Sequence, residues 1–60
     1  MTMEKALKIV TEMGYEARQS NLDYIAGIKD GKLQWFKIKN GKLLKRVDAH
    51  PSFMKWEVTE

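Results

Sequence analysis

The sequence predicts an α+β domain: an N-terminal amphipathic helix packed on a three-stranded antiparallel meander, with a short C-terminal strand or helical turn. Three observations predict it. Apolar residues recur at helical spacing over the first thirteen positions, and two strong hairpin dipeptides, Asp30-Gly31 and Asn40-Gly41, bracket the eight-residue run KLQWFKIK. The chain has 60 residues and no cysteine, enough for one small core and nothing beside it. With 43% hydrophobic and 32% charged residues it has the makeup of a folded domain rather than a disordered tract, so residues 1–60 are read as one unit.

Thr2 suits a helix N-cap and Glu4 its first turn, and Met3, Ala6, Leu7, Val10 and Met13 form one apolar stripe. Gly14 supplies the left-handed residue that ends the helix, with Tyr15 positioned to fold back onto Val10 in a Schellman motif. The opposite helix face, Glu4, Lys5, Lys8, Thr11 and Glu12, reads as solvated and is assigned no function. Residues 15–21 fit either a first strand or a connection. From Leu22, the alternation of Leu22, Tyr24, Ala26 and Ile28 with Asp23, Ile25, Gly27 and Lys29 indicates a strand. Residues 32–39 are the middle strand, and the third runs from Lys42 to about Val47. Asp48, Ala49, His50 and Pro51 are expected to break the sheet before Met54, Trp56 and Val58 alternate in the tail. Gly27 inside a strand indicates close approach of a packed neighbour, and Met3, Met13 and Met54 read as core filler.

The net charge is +3, and its placement says more than its size. Lys29, Lys32, Lys37, Lys39, Lys42, Lys45 and Arg46 stand together, offset locally only by Asp30, whereas both flanks are mildly acidic. Such a block attracts polyanions through counterion release, although lysines also keep edge strands and hairpins soluble. On the middle strand, Phe36 and Ile38 face one side and Leu33, Trp35, Lys37 and Lys39 the other. Phe36 and Ile38 take the core side, because no lysine separates them on their face.

The neighbours of Trp35 depend on register. Two-residue turns place it with Tyr24, Ala26, Leu44 and Arg46; three-residue loops place it with Ile25, Leu43, Lys45 and Val47. In either case Trp35 is expected on the uncovered face, where it can stack on a base while Lys37, Lys39, Lys42, Lys45 and Arg46 meet phosphates. Phe53, Met54 and Trp56 offer the alternative of folding back across Trp35 as a second small core.

Residues that would carry other chemistry are sparse. His50, the single histidine, lies in the segment DAHPS without a recognisable catalytic spacing and reads as a loop residue. No phosphate-binding glycine loop, cysteine nucleophile or converging set of metal ligands is present, so the expectation is a non-enzymatic protein without metal or cofactor. No apolar run approaches the roughly 20 residues that span a bilayer, which points away from a membrane and toward the cytoplasm.

The short helix ending in MGYEARQS before a meander resembles the HicA toxins, small ribonucleases with a double-stranded-RNA-binding-like fold, over residues 3–47. The catalytic histidine of that family, in a glycine-serine-histidine segment, has no counterpart here, where Asn21 and Leu22 follow Ser20; ribonuclease activity therefore does not carry over. The reading is a module whose basic aromatic sheet face contacts nucleic acid with little sequence preference. Its alternative is a small regulator or inhibitor of the kind carried by phages and mobile elements, binding a host protein through the same face. A homodimer closed by edge-strand pairing is a third arrangement.

Overall fold

The computed structural model describes residues 1–50 and 53–59, and side chains for all of these except 48–50, 53 and 54. The expectations for Pro51 and Ser52, and for the side chains of His50, Phe53 and Met54, lie outside the described residues. Helix α1 spans Met3–Glu12 and opens as its sequence requires: the Thr2 hydroxyl oxygen accepts the Lys5 backbone N–H at 3.2 Å, and Glu4 lies in the first turn. It closes at Met13 and Gly14, the latter at φ 98°. Gly14 N–H donates to Thr11 C=O at 2.9 Å and Tyr15 N–H to Val10 C=O at 3.4 Å, the paired bonds of a Schellman motif. Lys29 completes this end, its Nζ donating to the Met13 carbonyl at 3.3 Å and standing 5.2 Å from the Tyr15 ring centroid. A cation placed there meets the negative end of the helix dipole.

Five strands follow, each antiparallel to the next and adjacent in chain order: β1 Glu16–Gln19, β2 Tyr24–Lys29, β3 Lys32–Lys39, β4 Lys42–His50 and β5 Phe53–Val58. The α+β class and the antiparallel sheet agree with the sequence, but the sheet has five strands where three were expected. The ambiguous segment after the helix is strand β1, which the Schellman turn delivers alongside β2 with Ala17 opposite Gly27. The tail is a strand, not a helical turn. Nor does Asp48-Ala49-His50 break the sheet: β4 continues to His50, opposite Phe53, with a register irregularity after Val47. Pairing with β5 overrides the poor strand preference of these residues.

Both hairpins use two-residue turns. Lys29 pairs with Lys32 and Lys39 with Lys42, and the turn residues Asp30, Gly31, Asn40 and Gly41 all have positive φ, between 53° and 74°. That is the type I′ geometry these dipeptides favour. It resolves the register so that Ile25, Phe36 and Leu43 face the helix and are fully buried against Ala6 and Val10. Met3, Leu7, Ile9, Met13, Tyr15, Ala17 and Ile38 pack around them. Gly27 is buried beneath the edge-on pair of Tyr15 and Phe36, whose centroids are 5.2 Å apart; a Cβ there would lie 3.0 Å from Phe36 Cε1 and 3.2 Å from Tyr15 Cβ. Packing against Phe36 and Tyr15, the residue that follows the helix stop, is thus the reason for a glycine in mid-strand.

Gly27→Ala is expected to destabilise the domain by about 1–3 kcal/mol through overpacking, read as a lower midpoint in thermal unfolding. Lys29→Met should cost less, about 0.3–1 kcal/mol at low ionic strength, and the difference from the parent should shrink with added salt.

Candidate functional site

The register assigns every side chain of β2, β3 and the first half of β4 to one of two faces, and the face away from α1 carries Tyr24 and Trp35 with part of the basic block. Viewed across the strands, Ile28 stands opposite Leu33, Ala26 opposite Trp35, and Tyr24 opposite Lys37, which in turn faces Leu44. Arg18 of β1 adjoins Ala26, Lys39 adjoins Lys42, and on β5 Trp56 adjoins Arg46 and Val58 adjoins Leu44. Arg18, Ala26 and Trp35 thus lie in one paired row and Arg46 and Trp56 in another, so that two cations and two indole rings stand on this face.

This face is curved. β2 and β5 are three strand spacings apart, about 14 Å in a flat sheet, yet the rings of Tyr24 and Trp56 approach to 6.1 Å at 68°. Twist and coiling bring the two ends of the sheet toward each other over β3. The split between β3 and β4 adds to the curl: their pairing stops at Phe36 and Lys45, while β4 goes on pairing with β5. The Gln34 side-chain amide spans the gap, donating to Arg46 C=O at 2.7 Å and to Trp35 C=O at 3.1 Å. The result is an open groove of about 490 Å³ walled by Tyr24, Trp35, Lys37, Arg46 and Trp56, with Ser20 and Asn21 at one end. Lys37 Nζ sits 4.3 Å from the Trp56 ring centroid, within cation–π distance.

Of the residues singled out in the sequence, Trp35, Lys37, Lys39, Lys42 and Arg46 share this face. Lys45 does not. It lies on the helix side, opposite Phe36 and Glu57, because two-residue turns place even and odd positions of β4 on opposite faces. Lys29 and Lys32 likewise belong to the helix side, so the basic block is divided between two surfaces. Trp35 is half-buried rather than standing free, with Tyr24, Lys37, Arg46 and Trp56 around it. Three groups were not among the site residues expected from sequence: Tyr24, a neighbour of Trp35 only in the two-residue register; Trp56, expected near Trp35 only as part of a second small core; and Arg18, on a strand that weak patterning concealed.

Among the described residues, no three His, Cys, Asp or Glu side chains converge as a metal site would need, and no helix is long and apolar enough to cross a membrane. What the groove offers is a polarisable wall with positive charge around it, suited to binding a flat, anionic or electron-poor group.

Relative to free tryptophan amide, the half-buried tryptophans in this surrounding should be quenched more strongly by iodide than by caesium at low ionic strength, and these two relative values should converge toward 1 M salt as screening shortens to about 3 Å. Equal relative quenching at low salt would contradict the positive surrounding. Comparison with family models, with characterised proteins and with solved structures finds no match, and the likeness of residues 3–47 to the small ribonuclease toxins rests on element order alone.

Proposed function

We propose that the protein is a non-enzymatic binding module whose curved aromatic and basic face contacts nucleic acid with little sequence specificity. The observation that supports this most is the gathering of Tyr24, Trp35 and Trp56 with Lys37 and Arg46 on one face that α1 leaves uncovered. Exposed Arg18, Lys39 and Lys42 extend the positive charge beyond the groove along the same surface. Cations track a phosphate backbone and aromatic rings accept any base, a combination that gives affinity without strong sequence readout.

A second reading is favoured by Ile28 and Leu33, which face each other at one end of the same surface and are 47% and 55% exposed. An apolar pair beside a basic groove suits a protein partner, as in a phage- or mobile-element-type regulator that binds a host protein, or a second copy of the chain. A complex that survives nuclease treatment would favour that reading, and sedimentation at two concentrations would reveal self-association.

Titrating an oligonucleotide while following tryptophan emission should give a saturable change that weakens steeply with salt; no salt-sensitive change would overturn the nucleic-acid reading. The double variant Lys39→Gln/Lys42→Gln should flatten the slope of log K against log salt by about 1.4 for a single strand, given about 0.7 per phosphate contact. Lys45→Gln, on the far face, should leave the slope unchanged.

A further inference from the structure

We infer that the groove is a seat for an unpaired nucleobase, so that the protein prefers single strands, and that Lys37 occupies this seat until a base displaces it. The inference rests on the nucleic-acid reading above and narrows it from a polyanion surface to a base-binding site. Three observations carry it.

The first is shape. The rings of Tyr24, Trp35 and Trp56 line an open recess rather than crown a ridge. A paired base shows only its edges to the grooves of a duplex, and its faces are taken by its stacking neighbours. To reach rings in a recess it must be unpaired and turned out.

The second is the state of the Trp56 ring. Its face holds the Lys37 ammonium at 4.3 Å, while Tyr24 meets it at 68°, closer to edge-on than to stacked. A cation on a tryptophan face marks a π surface open to a partner from the groove, and the ammonium is the only part of that contact on a flexible stem. When a base stacks there, the ammonium leaves the ring, and the phosphate attached to that base is the anion nearest to receive it. Lys37 thus exchanges a cation–π contact for a charge-assisted hydrogen bond in the same step.

The third is polarity at one end of the groove. Ser20 and Asn21 line it, and the Asn21 side-chain oxygen already accepts the Leu22 N–H at 2.7 Å. The Asn21 side-chain amide and the Ser20 hydroxyl can meet a base edge without demanding one base over another, since a hydroxyl both donates and accepts.

The test compares three probes on the unaltered protein: oligo(dT), an abasic deoxyribose-phosphate strand of equal length and charge, and a duplex of that length. The expected result is that oligo(dT) binds about tenfold or more tighter than the abasic strand, with a salt slope steeper by about 0.7 for the phosphate contact that Lys37 gains, and tighter than the duplex. In NMR, the Lys37 side-chain methylene signals should start upfield under the Trp56 ring current and move toward ordinary lysine values with oligo(dT), but not with the abasic strand. Equal binding of all three probes would overturn the base seat while leaving a polyanion surface in place. Failure of all three to bind would overturn both. Lys37→Met, which keeps the stem and removes the charge, should reduce the single-strand salt slope by about 0.7 while retaining the preference for oligo(dT) over the abasic strand; loss of that preference would show that the charge, not the ring, makes the distinction.

Discussion

Four residues with positive φ, Asp30, Gly31, Asn40 and Gly41, determine which side of the sheet every side chain between Tyr24 and Val47 occupies. Each pair forms a turn two residues long, and the strand period of two leaves no latitude after that. Had either loop held a third residue, Leu43 would have left the core and Lys45 would stand where Arg46 and Leu44 now stand. The buried cluster and the aromatic groove are two outcomes of one backbone condition.

A single short helix can cover only one side of a sheet this wide. Ala6 and Val10 meet Ile25, Phe36 and Leu43, and that side is settled in the usual way, by exclusion of water from apolar surface. The other side has no second layer among the described residues. The sheet compensates by curling until Tyr24 meets Trp56 and the Lys37 stem and ammonium fill in beneath. Long amphipathic side chains serve here as a partial cover, their methylenes shielding rings while their charged ends stay wet. A surface assembled in this way is dry enough to hold rings in place and open enough to accept something else.

Much of this was legible in the sequence because the signals were local. The Thr2 cap, the Gly14 stop and the two turn dipeptides each act within a few residues, and all formed as their chemistry requires. The assignment of Phe36 to the core and Trp35 to the far face followed from alternation and from the absence of lysine beside Phe36 and Ile38 on their own face. What escaped was non-local. EARQ makes a strand because β2 lies beside it, and Asp48-Ala49-His50 continues one because β5 does, so neither segment's own composition reveals its state. Trp56 joined the site by the pairing of β4 with β5, and Lys45 left it by the parity of a turn. The convergence of Tyr24 and Trp56 depends on sheet coiling, which no short pattern encodes.

Among the described residues every fully buried side chain comes from α1, β2, β3 or β4, and neither edge strand, β1 or β5, contributes one. Among the described residues, β5 is held by the ladder to β4, the bond from Thr59 N–H to Leu43 C=O at 2.8 Å, and the contacts of the Trp56 ring with Tyr24 and Lys37. Such a strand can separate from its neighbour at a free-energy cost well below that of melting the domain. Amide hydrogens along β5 should then trade with solvent deuterium sooner than those of β3. The wall of the groove that bears Trp56 accordingly stands on an edge strand, outside the buried cluster of the described residues.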